Sequence, residues 1–393
     1  MIKTWRWFGK KDSITLDMLR QIGVEGIVTA LYDTPPGEIW TYKDIQDLKS
    51  HIENNGLIWS VAESLPVAEE IKYGDISRDK LIENYKISIA NLGKAGIKTI
   101  CYNFMPAIDW VRTDLEWRLP DGTYTLYFDK IRYAYFDCVI LNRHGAEIDY
   151  TIEELEKINQ LHKVITKDEI DSLIDTIIIR TQSFIHRKIS LKNVSAVGEF
   201  KKLLDKYKGI DKNKLRQNMA YFLKQVLPVA EGYGIKLAVH PDDPPFPVFG
   251  LPRIVSNKDD IEFILKMVNS PSNGLTFCTG SLSAGKLNNR PLLASKFANK
   301  VFFAHLRSTE ILPNGDFVEA SHLGGRGNII EVIRILEKQN QTIPMRVDHG
   351  KLMLDDINKK HNPGYSFYGR MLALGQVEGI IAAVRNEIEN IRN

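Results

Sequence analysis

Cysteine is scarce in this 393-residue chain, with only Cys101, Cys138 and Cys278 present. They are odd in number and widely spaced, which excludes a disulfide framework and fits a reducing compartment. No run approaches the ~20 apolar residues of a membrane helix. The first residues, MIKTWRWFGKKDSITLDML, are interrupted by charge and offer no apolar stretch of the roughly 7–15 residues a secretion signal uses. Charge of one sign is not in excess either. Lys and Arg total 52 against 49 Asp and Glu, a net charge of +3. That is too small an imbalance for the electrostatic footprint of a nucleic-acid binder. Internal repeats beyond strand–helix alternation and low-complexity tracts are also missing. The expectation is a soluble cytoplasmic protein whose partners are neither nucleic acid nor membrane.

What the sequence does contain is ordinary globular composition, 44% hydrophobic and 26% charged, and a regular alternation. Eight short runs rich in β-branched and aromatic residues read as strands. They are residues 4–8 (TWRWF), 26–32 (GIVTALY), 57–63 (LIWSVAE), 98–104 (KTICYNF), 236–240 (KLAVH), 275–279 (LTFCT), 301–307 (VFFAHLR) and 344–349 (PMRVDH). Helical patterns with recognisable ends separate them, at residues 13–23, 41–56, 77–96, 211–234, 256–268 and 328–339, with a last long helix at 369–391. The Thr41-x-x-Asp44 spacing reads as a capping box. Eight βα units predict a (β/α)8 barrel, with an open doubly wound sheet as the alternative.

Residues 106–208 break the rhythm between the fourth and fifth strands. Residues 115–129 read as a hairpin around Pro120-Asp121-Gly122, and 151–165 and 167–181 as helices. This segment is taken as an insertion at the barrel mouth of a single catalytic domain spanning 1–393. Without it about 290 residues remain, a common barrel size.

In a parallel barrel the active site lies where the strands end. The fifth strand ends in LAVHPDDPP with His240, and the sixth in LTFCTGS with Cys278. The seventh carries His305 and Arg307 in FFAHLRS, and the eighth ends in RVDHG with Asp348 and His349. His240, Cys278, His305 and Asp348 are separated by 38, 27 and 43 residues. Each gap accommodates one strand–helix unit, so four metal-donor side chains reach one rim. Taken singly each has a bland reading: a satisfied core histidine, a small buried thiol, a turn aspartate. Four at successive strand ends predict one divalent ion. Donor chemistry alone leaves Zn2+, Fe2+, Co2+ or Mn2+ open. Cys101 and Cys138 are read as structural.

His349 directly follows Asp348, and histidine is the side chain best suited to general acid–base work near neutral pH, so His349 is a candidate for it. Tyr365 and Tyr368 sit in the Pro-Gly loop HNPGYSFYGR, where a phenol beside a cation loses its proton more easily. Arg307 shares the barrel side of His305 by period-two alternation and is expected to meet a substrate carboxylate, the competing reading being an acidic partner on the rim. The glycine-rich SHLGGRGN (321–328) matches neither dinucleotide nor P-loop patterns. It is read as a flexible mouth loop, with His322 a substrate contact.

MIKTWRWFG, LAVHPDDPP, FCTGS, FAHLRS, RVDHG and NPGYSFYGR together, and the chain along its whole length, resemble the D-mannonate dehydratase family. That resemblance implies a barrel like that of xylose isomerase and removal of water from D-mannonate to give 2-dehydro-3-deoxy-D-gluconate in hexuronate breakdown. It implies metal ligation by His240, Cys278, His305 and Asp348, acid–base work by His349 and Tyr365, and Mn2+ as cofactor, with Fe2+ or Co2+ as alternatives. A homodimer is expected by analogy with such barrels. The rival readings are a metal-dependent sugar isomerase or epimerase, a metal-dependent endonuclease, and a non-catalytic sugar-acid binder.

Overall fold

A computed structural model describes residues 1–182 and 196–392; the part of the expected insertion between them lies outside the described residues. Its strands in chain order are β1 (Ile2–Arg6), β2 (Gly26–Thr29), β3 (Ile58–Glu63), β4 (Thr99–Tyr102), β5 (Asp114–Arg118) and β6 (Tyr124–Phe128), then β7 (Lys236–Val239), β8 (Asn273–Cys278), β9 (Val301–Leu306), β10 (Ser308–Ile311), β11 (Phe317–Ala320) and β12 (Pro344–Val347). Eight of them close a barrel in the order β1-β12-β9-β8-β7-β4-β3-β2, every neighbouring pair parallel. The eight expected runs are these eight strands. The open-sheet alternative is therefore discarded.

Period-two alternation builds the barrel interior in layers. Val28, Val61, Cys101, Ala238 and Phe303 fill an apolar layer of small residues around one aromatic ring. Two residues further along three of these strands come Glu63, His240 and His305, and Arg6, Cys278, Arg346 and Asp348 join them from β1, β8 and β12 to make a polar rim. Burying Phe303 contributes about 2–3 kcal/mol by transfer alone, and its ring meets His305 edge-on at 4.5 Å. The apolar floor thus supports the polar rim directly.

Helices wrap the outside because their apolar residues recur at helical spacing. In Lys212–Gly232, Leu215, Met219, Phe222 and Val226 are fully buried, and Asp211 caps its start. Thr41 caps Tyr42–Glu53 as expected, accepting from the Asp44 amide. The reciprocal bond differs from a capping box: the Asp44 carboxylate accepts from the Thr41 hydroxyl.

The inserted segment forms the expected hairpin, β5–β6, with Gly122 at φ +83° in its turn. The helix expected over 167–181 runs as an α-helix over Lys167–Ile174 and continues as a π-helix over Asp175–Arg180. One element was not anticipated. Residues 308–320, past the seventh barrel strand, fold as a second hairpin, β10–β11, and β11 pairs with β6. The two hairpins make one four-stranded antiparallel sheet, β10-β11-β6-β5, beside the barrel mouth. Phe128 stacks on Phe317 across their junction at 4.9 Å. Around it a second apolar cluster, including Phe136, Ile177, Phe200 and Phe249, gives the insertion its own core.

Candidate active site

The four expected donors converge at the C-terminal rim. His240 follows β7. Its Nδ1 lies 2.7 Å from the Pro241 carbonyl; a carbonyl only accepts, so Nδ1 carries the proton and Nε2 presents a lone pair. That Nε2 stands 3.1 Å from Nδ1 of His305. Ligand atoms of His240, Cys278 and His305 all lie within 4.8 Å of one another. Asp348 completes the ring, its Oδ2 4.0 Å from both Cys278 Sγ and His305 Nδ1.

Electrostatics prepare the sulfur. Burial raises the Cys278 thiol, but Arg307 and the hydrogen bonds of His240 and His305 outweigh it and hold the thiol well below its ordinary range. Ser281 also donates to Sγ from its amide (3.4 Å) and hydroxyl (3.2 Å). Asp348 is likewise held low against burial by Arg346, His349 and Arg307. A thiolate, a carboxylate and two imidazoles around one centre are the donor set of a divalent transition-metal site, so the residues fit such an ion. The neighbouring group of Glu63, Cys101 and His305 fits less well. Burial keeps the Cys101 thiol protonated, and it lies in the apolar layer beside Thr276. Cys138, half-buried in the insertion, has its thiol pushed up to about 12, first by burial. Both behave as structural residues.

A cavity opens on this rim, bordered by His240, Asp348, His349, Tyr365, Trp110 and Asn103 among others. Tyr365 donates to Asp348 Oδ1 at 3.2 Å. Burial, then the charge of Asp348, pushes its phenol up to about 12, so it keeps its proton at neutral pH. His349 lines the same cavity between Trp110 and Tyr365, with ring centroids 5.3 Å from each. Tyr368 begins the last helix and lies outside the cavity lining.

Two further residues behave differently from expectation. Arg307 borders the cavity, but its guanidinium is engaged by three carboxylates: Asp348 at 2.7 Å, Glu319 at 2.6 Å, and Asp243. The acidic rim partner, rather than a waiting substrate carboxylate, occupies its fork. His322 is buried behind the rim and does not border the cavity. Burial lowers it to about 4, and its Nε2 has no hydrogen-bond partner among the described residues.

Sequence reasoning missed an ionic lattice around the donors. Arg346 pairs with Asp348 and, at 2.9 Å, with Glu63, which also binds Arg6 at 2.8 Å. Arg112 binds Asp243 at 2.8 Å and Glu319 at 2.6 Å. Four buried guanidiniums are thus matched by four buried carboxylates. Alternation carried a signal for part of it: Arg346 precedes Asp348 by two, and Glu63 closes the third strand.

Barrel and rim together define the class, a closed parallel (β/α)8 barrel with its polar site at the C-terminal mouth. The fold is shared with a xylose isomerase domain protein from Planctomyces limnophilus (TM-score 0.51, 9% identity, 99% of each chain). More specifically, residues 1–391 match the family model for D-mannonate dehydratase (UxuA). The chain is 43% identical over 400 residues to a mannonate dehydratase of Marinomonas sp. (strain MWYL1), covering 99% of this chain and 100% of the relative. A mannonate dehydratase of Chromohalobacter salexigens is 41% identical, covering 98% and 99%. The crystal structure of mannonate dehydratase from Streptococcus suis superposes with a TM-score of 0.79 at 33% identity over 99% of this chain and 96% of that one. This chain belongs to the D-mannonate dehydratase family.

Proposed function

We propose that the chain is a metal-dependent hydro-lyase that converts D-mannonate to 2-dehydro-3-deoxy-D-gluconate and water in hexuronate catabolism. The observation that carries the reading is the convergence of His240, Cys278, His305 and Asp348 on one rim, with His349 and Tyr365 on the same cavity. When held by those four residues, a divalent cation (Mn2+, with Fe2+ or Co2+ as alternatives) supplies positive charge against the negative charge that grows on the sugar acid as its C2 proton leaves.

The remaining work falls to side chains. His349 takes the C2 proton at a ring nitrogen, and the C2–H electron pair becomes the C2=C3 bond. Tyr365, a phenol that keeps its proton, gives that proton to the departing C3 hydroxyl, which leaves as water. The enol at C2 then tautomerises to the ketone. Arg307 and Arg346 hold Asp348 in place from two sides; Arg307 is assigned to that task rather than to the substrate's carboxylate. His322 is assigned no substrate contact.

The enzyme is read as cytoplasmic, supported by three unpaired cysteines. Among the described residues no helix is long and apolar enough to cross a membrane. A homodimer is proposed by analogy with such barrels, to be checked by sedimentation. Incubation of the purified protein with D-mannonate should release a 2-keto acid. A stereoisomer of the substrate with no 2-keto acid would favour the epimerase reading instead.

A further inference from the structure

Glu319 lies on β11, in the sheet outside the barrel, yet it is 2% exposed and reaches the rim. Its Oε1 accepts from Arg112 Nη2 and Arg307 Nη1, each at 2.6 Å, and stands 3.2 Å from Nδ1 of His349. Burial would raise this carboxyl, but Arg307 and Arg112 hold it at about 2. It is therefore a carboxylate, able only to accept. An accepting oxygen at hydrogen-bond distance from Nδ1 calls for the imidazole proton on Nδ1. Nε2 is left with its lone pair.

The ring has little freedom to turn away. Trp110 and Tyr365 flank it, and the loop behind it passes so close at Gly364 that an added Cβ would come 2.8 Å from His349 Cδ2. Gly364 also sits at φ +80°, which favours glycine. Asp348 Oδ1 lies 3.8 Å from Nε2, beyond hydrogen-bond distance, and is already engaged by Arg346 and Tyr365.

We propose that Glu319 is a positioning residue that fixes the Nδ1–H tautomer and the orientation of His349, leaving Nε2 as the nitrogen that takes the substrate proton. The catalytic consequence rests on reading His349 as the base. The proposal also gives the extra sheet a task. β11 supplies Glu319, while the insertion supplies Arg112, which holds the carboxylate, and Trp110, which packs on the ring.

Long-range 1H–15N NMR of the full chain, 15N-labelled at histidine and loaded with diamagnetic Zn2+, tests the tautomer. His349→Gln identifies the signal. The wild type should show a protonated Nδ1 and an unprotonated Nε2 at His349 near pH 8.5. Glu319→Gln should shift the population toward Nε2–H. In parallel, Glu319→Gln should lower kcat with D-mannonate by about 100-fold, with KM and bound metal unchanged within twofold. Glu319→Asp should recover part of that loss. An Nε2–H tautomer in the wild type overturns the proposal, and so does Glu319→Gln keeping the Nδ1–H form with kcat within twofold. If Glu319→Gln does not fold, the wild-type spectrum decides alone. If the wild type does not turn over D-mannonate, the functional reading fails while the spectrum still decides the tautomer.

Discussion

Replacing Tyr365 by Phe removes one hydroxyl and keeps the ring, which separates chemistry from packing. The ring's contacts, including its edge-on approach to Phe8 at 5.0 Å, persist in the variant. The lost interaction is the donation to Asp348 Oδ1 at 3.2 Å. Hydrogen bonds to charged groups contribute about 1.5–3 kcal/mol. Asp348 retains Arg346 and Arg307, so the stability loss should lie at the lower end, about 1.5 kcal/mol, a fall in Tm of no more than about 4 °C. A general acid contributes about 10²–10⁴-fold, or roughly 3–5.5 kcal/mol of barrier at about 1.36 kcal/mol per decade. The catalytic loss should therefore clearly exceed the folding loss. Formation of 2-keto acid from D-mannonate, thermal unfolding and elemental analysis are measured on the same preparation. The account predicts kcat down by at least about 100-fold, a small Tm change, and unchanged metal. A folded Tyr365→Phe enzyme with kcat within threefold of wild type would refute the assignment and leave Tyr365 as packing.

Cys278→Ser replaces a buried anionic donor by a neutral hydroxyl of similar shape. Metal affinity should fall by at least about 100-fold, read by competition with a chromogenic chelator; unchanged affinity would make Cys278 structural. The buried carboxylates also predict acid sensitivity in the metal-free protein. Glu319 is held at about 2, whereas an unfolded glutamate titrates near 4.3. A lowered folded-state value contributes stability that is present above the unfolded value and lost as pH falls through the folded one. Glu319 alone then contributes about 3 kcal/mol that disappears between about pH 4.5 and 2. Urea midpoints of chelated protein should fall steeply across that window, and flat midpoints would show the lattice to be energetically neutral.

The barrel was legible because each of its strands is a short apolar run bounded by turns and helix caps, and burial on both faces leaves little ambiguity in such runs. The convergence of the candidate donors was legible for a related reason. A parallel barrel converts strand order into spatial order, so His240, Cys278, His305 and Asp348 could be placed on one rim from spacing alone. The second hairpin was missed although Asn314-Gly315 between residues 308–311 and 317–320 is a strong turn signal. The glycines of 321–328 drew the reading toward a loose mouth loop instead. The ionic lattice was harder to see. Glu319 and Arg112 meet only because β11 pairs with β6, a long-range pairing that no local pattern encodes. Arg307 shows the limit of alternation: it gave the correct side of the strand but not the partner, and three carboxylates already hold it.

The central claim is that side chains from four successive barrel strands grip a single divalent ion. X-ray absorption at the edge of the bound metal, on wild-type protein reconstituted with Mn2+, addresses it directly. The account predicts about one ion per chain, with one sulfur beside nitrogen and oxygen in its inner shell, and loss of that sulfur in Cys278→Ser. An inner shell of oxygen and nitrogen alone in the wild type would contradict it.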